Sequence, residues 1–383
     1  MHQTDEAMRS RDYAQADALI VDSQRNTLRL MRDILVGMGF KQVDTMNDYR
    51  GLKGHLGRTV PDLLILDADD HESEAFEAVR TLRTDPSSLN PFACVLVTTW
   101  QPTGLVAVRT VNVGADALLI KPAAPRQVMD RIVFLIENRK KFVVTADYTG
   151  PDRRKVIRAG VQVPLLDVPN SLRLKTYGDW EKENGAGQII SAMERANDMK
   201  VIRLAFQVSF LIEYAIPGLG LNPPSKLSLE HIERVPGIIT DLARRLPERL
   251  QGPATDTALA SLRTAIGQLD RVFRTRDRTP HLEQLSRLGL GIMEVVQPRR
   301  SPEAMAKEVA EAVATYRKRL EEIVANKIAA AAAEAAAAAP AGGAAPAPAP
   351  APTVPTGGAA PAQAPAPLSA PASASTGGGA TGT

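Results

Sequence analysis

Residues 61–69 read Pro61-Asp62-Leu63-Leu64-Ile65-Leu66-Asp67-Ala68-Asp69. Four large aliphatic residues stand between acids, with no polar residue alternating among them. A strand with one wet face alternates; a short, unbroken aliphatic run is the pattern of a strand buried on both faces of a parallel sheet. The same reading applies to Ala18-Leu19-Ile20-Val21, Ala93-Cys94-Val95-Leu96-Val97-Thr98 and Ala117-Leu118-Leu119-Ile120. A fifth run, Gln42-Val43-Asp44-Thr45, is more polar and belongs at a sheet edge.

Helix-period segments lie between these runs. Leu28, Met31, Leu35 and Met38 share one face, and Gly39 follows where a helix would end. Residues 75–83 and 104–113 read as helices, and Pro125 opens another with Val128, Ile132, Leu135 and Ile136 facing inward. Strands alternating with helices predict an α/β domain with a doubly wound five-stranded parallel sheet, flavodoxin-like in order. In such folds the functional crevice lies at the carboxyl ends of the strands.

Farther out the pattern changes. Residues 1–16 are polar and read as a flexible N-terminus without an apolar signal core, so the expected location is cytoplasmic. Residues 143–187 read as a basic linker containing Pro and Gly, with Arg153, Arg154 and Arg158 as a solvated cluster. From 188 to 328 the period is helical, which predicts a bundle of four or five helices. Its apolar stretch 201–221 is interrupted by Arg203, Gln207, Glu213 and Pro217, so it reads as a core helix rather than a membrane span. Pro217 is expected to end that helix, and Pro236 to break or kink the next. Leu259, Leu262, Ile266, Leu269 and Phe273 form a 3-4-3-4 seam, read as intramolecular packing, with a homodimer as the other use of such a seam. Residues 329–383 are nearly all Ala, Pro, Gly, Ser and Thr, the composition of a disordered tail, although the alanines up to 339 are able to prolong the last helix.

Composition excludes several classes. One cysteine, Cys94, rules out a disulfide framework and a multi-cysteine zinc site, and five scattered histidines do not make a metal cluster. The net charge of the whole chain is only +3. Its basic surplus lies beyond residue 150 and falls short of a nucleic-acid signature.

The strand ends carry the chemistry. The first run is followed by Asp22-Ser23, the third by Asp67, the fourth by Thr98-Thr99 and the fifth by Lys121-Pro122. Carboxylates can hold Mg²⁺ or attack phosphorus, a lysine can neutralise a phosphoryl oxygen, and a hydroxyl can hydrogen-bond another. The ordered motifs "LIVDS", "PDLLILDAD", "VLVTTW" and "GADALLIKP" make residues 17–142 similar to a response-regulator receiver domain of two-component signalling, CheY-like in type. The helical region resembles no family.

The resemblance implies roles position by position. Asp67 matches the phosphoacceptor, Thr99 the switch hydroxyl and Lys121 the phosphate-contacting lysine. Asp22, Asp67 and the backbone carbonyl of Asp69 match the Mg²⁺ ligands. The implied function is that of a response regulator. A sensor histidine kinase or phosphotransfer protein phosphorylates Asp67, which switches the receiver's interaction with a partner or with the helical region. Such a chain is a signalling phosphoprotein, not an enzyme. The sequence also departs from the family pattern: Ser23 replaces the second acid, Leu118 stands where an aromatic switch residue is usual, and Ala68-Asp69-Asp70 replaces the usual run after the acceptor. Asp69 or Asp70 is able to supply a compensating carboxylate. The departures keep a second reading open, a degenerate pseudo-receiver acting as a phosphorylation-independent adaptor. A DNA-binding regulator has less support, because no helix gathers basic and amide side chains on one face.

Overall fold

The computed structural model describes residues 11–154 and 164–338. The first half is the expected α/β domain. Five parallel strands, β1 (Asp17–Val21), β2 (Gln42–Met46), β3 (Leu63–Asp67), β4 (Cys94–Thr99) and β5 (Ala117–Ile120), are ordered β2-β1-β3-β4-β5. Register pairs Ala18 with Leu63, Leu63 with Cys94 and Leu96 with Ala117. The polar run Gln42–Met46 is at the edge, as its composition predicts.

Both faces of the sheet are covered, which is why β3 and β4 contain no exposed residue. Leu63, Ile65 and Leu96 face Met31, Leu35, Ile132 and Leu135 of helices α1 (Arg25–Met38) and α5 (Pro125–Glu137). Leu64, Leu66, Val95 and Val97 face the other way, toward α2 (Leu52–Leu56) and α3 (Glu72–Thr84), with Val106 of α4 (Gly104–Val113) beside them. The helix ends follow local chemistry. Gly39, at φ 110°, closes α1 with its N–H on Leu35 and Val36 carbonyls. The Thr103 hydroxyl caps α4 by accepting from Val106 N at 3.2 Å.

Two segments expected to lie outside this domain, a flexible N-terminus and a basic linker, are built into it. Within the expected flexible N-terminus, Tyr13 and Ala16 are buried in the core, and Arg11 reaches Glu137 at 2.6 Å. The rest of that expectation, residues 1–10, lies outside the described residues. The expected linker 143–187 also has structure. Strands β6 (Phe142–Val144), β7 (Thr149–Pro151) and β8 (Leu165–Leu166) form an antiparallel sheet in the order β7-β6-β8. Helix α6 (Ser171–Thr176) buries Leu172 in the receiver core, and Lys175 bonds Asp17 and Asp62, each at 2.8 Å. These strands are two or three residues long and exist only through pairing with distant partners, so no local period announces them. Arg153 bonds Asn112 at 2.7 Å and Arg154 pairs with Asp152, while Arg158 lies outside the described residues.

The helical bundle packs onto the amino-end side of the sheet. It comprises α7 (Gly185–Leu219), α8 (Lys226–Arg245), α9 (Pro253–Gly267), the short α10 (Leu269–Val272), α11 (Thr279–Val296) and α12 (Pro302–Ala338). Phe92, ahead of β4, and Phe142 share a cluster with Ile189 and Ala192 of α7, and Arg245 donates to the Thr84 carbonyl at 2.9 Å. The described residues up to Glu322 form one compact unit. Both prolines are accommodated: α7 runs past Pro217 and α8 through Pro236. Each removes one backbone bond, a loss outweighed by the buried faces on either side, Leu211, Ile212, Ala215 and Leu219 in one helix and Ile232, Val235 and Ile239 in the other.

The seam divides at Gln268 between α9 and α10. Leu259, Leu262 and Leu269 are buried in the chain's own core, with Ile266 and Phe273 partly buried against it, so the seam serves intramolecular packing. The apolar stretch 201–221 lies largely within α7 and supplies that core; among the described residues no helix is long and apolar enough to cross a membrane. The last helix continues to Ala338, so residues 329–338 are helical rather than disordered, in keeping with alanine's helix propensity. The remainder of the expected tail, 339–383, lies outside the described residues.

Candidate functional site

The sheet order brings the ends of β1, β3, β4 and β5 together. Asp22 follows β1, Asp67 ends β3, Thr99 ends β4 and Lys121 follows β5. All four are buried. The Lys121 ammonium is the centre of the group: Nζ lies 2.6 Å from Asp67 Oδ1, 2.8 Å from Asp69 Oδ2 and 3.5 Å from Asp22 Oδ2. The Lys121–Pro122 peptide is cis. Every residue assigned from the sequence reaches this pocket.

Asp69 enters it differently from the expectation. Its backbone carbonyl is the part assigned to metal binding, yet its carboxylate also turns inward. Asp69 Oδ1 accepts from Thr99 Oγ1 and from Trp100 N, both at 2.7 Å. The Trp100 ring lies 5.5 Å from Lys121 Nζ, a cation–π distance. Tyr49 closes another side by donating its hydroxyl to the Asp67 carbonyl at 2.5 Å. Ser23 donates to Asp70 at 3.0 Å, and Asp22 accepts the Gln24 N–H at 2.8 Å, an Asx turn at the head of α1. Tyr49 and Trp100 were not legible as pocket residues. Tyr49 sits in a polar loop with no period, whereas Trp100, directly after the strand-end hydroxyl, had a positional signal.

Electrostatics separate the carboxylates. Burial pushes Asp67 up to about 6; Lys121 opposes this, while hydrogen bonding with Asp69 and the charge of Asp22 add to it. Burial also raises Asp22, partly offset by the Gln24 N–H and Lys121. Asp69 is held below the usual carboxylate range: burial works against it, but bonds from Lys121, Thr99 and Trp100 outweigh burial. Burial alone would lower Lys121, yet its bonds to Asp67 and Asp69 leave it raised and firmly cationic. The proton of lowest cost in this group therefore goes to Asp67, whose two near neighbours are themselves acids.

Among the described residues no three His, Cys, Asp or Glu side chains are grouped as a metal cage. Mg²⁺ does not require one, since it keeps several waters and is commonly held through one or two carboxylates. Asp22 and Asp67 are hard oxygen donors of that kind, linked through a single ammonium, so the donor set fits. Ser23 adds no charge, and its hydroxyl is already given to Asp70.

Residues 18–133 match the response regulator receiver domain family, and this N-terminal region is a receiver domain. Solved structures resemble about a third of the chain. The chemotaxis protein CheY4 of Vibrio cholerae is 23% identical with a TM-score of 0.29, over 31% of this chain and 98% of that one. A CheY-like receiver protein from Methanospirillum hungatei is 23% identical with a TM-score of 0.28, over 31% and 90%. The response regulator DrrB from Thermotoga maritima is 20% identical with a TM-score of 0.27, over 32% of this chain and 53% of its own. No curated protein matches the chain in sequence.

Proposed function

We propose that this chain is a two-component response regulator, phosphorylated on Asp67 by a sensor histidine kinase or a phosphotransfer protein. The observation that carries the reading is the Lys121 ammonium 2.6 Å from the Asp67 carboxylate, with the Thr99 hydroxyl on the adjoining strand end. An Asp67 oxygen attacks phosphorus of the donor, the bond from phosphorus to the donor imidazole breaks, and the electron pair leaves with the imidazole. Lys121 and Thr99 then contact oxygens of the transferred group, which adds about 1.5–2 negative charges at neutral pH. A Mg²⁺ held by Asp22, Asp67 and the Asp69 backbone carbonyl would supply charge neutralisation during the transfer. Its ligands are the residues the donor set offers.

Readout is by changed affinity rather than by catalysis, so the chain acts as a signalling protein of the cytoplasm. The helical bundle occupies the amino-end side of the sheet. The edge flank formed by α4, β5 and α5 exposes Leu105, Val108, Ile120 and Phe134. This flank borders Thr99 and Lys121 and is the face on which a shift of either strand end would be felt by a protein partner. Switching it needs only a few kcal/mol of differential affinity between two states. The test is intact mass after prolonged incubation with acetyl phosphate and Mg²⁺, with Asp67→Ala in parallel. A gain of one phosphoryl group in the parent alone supports the proposal; no gain in the parent sinks it.

A further inference from the structure

We propose that the Asp69 carboxylate is an internal occupant of the phosphoryl site, holding the donors that a phosphoryl group on Asp67 would otherwise receive. This inference rests on the reading of Asp67 as phosphoacceptor and concerns how that same site is regulated. Three donors at the strand ends are suited to a transferred oxyanion: Lys121 Nζ, Thr99 Oγ1 and the Trp100 backbone N–H. The Thr99 hydroxyl and the Trp100 N–H are both spent on one side chain of the chain itself, and Lys121 is shared between that side chain, Asp67 and Asp22. Oδ1 of Asp69 takes Thr99 and Trp100, each at 2.7 Å, while Oδ2 is ion-paired with Lys121 at 2.8 Å without accepting a hydrogen bond, the ammonium donating to Asp67 Oδ1 at 2.6 Å.

The arrangement has the form of an anion site that is already filled. A carboxylate and a phosphoryl group present the same kind of acceptor, oxygens sharing negative charge, and both draw charge-assisted bonds from such donors. Asp69 sits two residues beyond Asp67, on a turn pinned by the Ala68 N–H on the Thr98 carbonyl at 3.0 Å. That short tether places its carboxylate beside the acceptor carboxylate rather than in solvent. The Trp100 ring, 5.5 Å from Lys121 Nζ, lies along the same side of the cation.

Two consequences follow. Phosphorylation of Asp67 requires Asp69 to swing out, because two anions cannot share one set of donors and the pocket already has three carboxylates around one ammonium. The unphosphorylated chain also holds Thr99 and Lys121 drawn together, the arrangement that phosphorylation would produce. Asp69 thus slows the entry of phosphate and sustains part of its effect in its absence. The departure from the usual run after the acceptor, Ala68-Asp69-Asp70, supplies the device.

The full chain is labelled with ¹⁵N-tryptophan, which yields backbone and indole signals from Trp100 and Trp180 alone. Parent, Asp69→Ala and the near-isosteric Asp69→Asn are compared with Mg²⁺ present. The rate of acetyl phosphate labelling at Asp67 is expected to rise about tenfold or more in both variants, the scale of one charge-assisted hydrogen bond. Inorganic phosphate is expected to shift the Trp100 amide in Asp69→Ala and not in the parent. Equal labelling rates in all three proteins leave the phosphoacceptor reading standing and overturn this inference. Absence of labelling in all three, with a phosphate-dependent Trp100 shift confined to the variant, defeats the phosphoacceptor reading and supports an occupied anion site. A Trp100 shift of equal size in parent and variant overturns the occupancy.

Discussion

Replacing Asp67 by Asn is expected to stabilise the metal-free protein, and to do so mainly above the pH at which this carboxyl ionises. Burial first, then hydrogen bonding with Asp69 and the charge of Asp22, lift the group from an ordinary value of 3.8 to about 6 against the pull of Lys121. At ~1.4 kcal/mol per unit, a rise of this size is worth about 3 kcal/mol. The folded value is the higher one, so the folded state holds the proton more tightly. The carboxyl's favourable contribution is therefore complete below the unfolded value and is lost as pH rises through about 6. Near pH 8 the ionised Asp67 opposes folding by the full amount, and Asn, of the same shape without the charge, does not. Lys121 is not orphaned, because Asp69 remains at 2.8 Å and Asp22 at 3.5 Å. Loss of the bond from Lys121 to Asp67 subtracts from the gain, which leaves about 1–3 kcal/mol. That corresponds to a rise in Tm of about 2–6 °C. Scanning calorimetry with EDTA near pH 8 and near pH 4 measures it. A gain of equal size at both pH values, or a loss near pH 8, refutes the argument.

Three further outcomes are expected. Arg83→Met should cost about 3–5 kcal/mol, because the fully buried guanidinium donates to the Pro91, Ala93 and Gly114 carbonyls and pairs with Asp116 at 2.8 Å; urea unfolding within 0.5 kcal/mol of the parent, about the experimental noise, would count against it. Gly114→Ala should cost about 1–3 kcal/mol, since φ is +99° and a Cβ there would lie 2.9 Å from the Thr149 carbonyl oxygen. Faster hydrogen exchange at Thr149 and Gly150 would accompany that loss, and unchanged exchange together with unchanged stability would contradict the contact. Burial pushes the Cys94 thiol up to about 12, so this single cysteine should react with an aromatic disulfide only as fast as the fold opens. Immediate reaction of the native protein at neutral pH would show otherwise.

The sequence by itself determined the receiver, its edge strand and its four strand-end residues. Burial on both faces leaves a local mark, the unbroken aliphatic run, and the sheet order then places Asp22, Asp67, Thr99 and Lys121 at one end without further information. The long helices were legible for a related reason, since their apolar faces recur at 3.6-residue spacing. Only the tertiary structure decided the remainder. Strands β6, β7 and β8 are too short to carry a period and exist through pairing across the chain. Pro236 reads locally as a break or a kink, and packing of Ile232, Val235 and Ile239 carries the helix through it. The direction of the Asp69 side chain was equally out of reach: it depends on where Thr99, Trp100 and Lys121 stand, and those come from strands distant in sequence. Residue types reveal which chemistry a pocket can hold, but which donor meets which acceptor is a property of convergence in space, and that convergence exists only once the strands have paired.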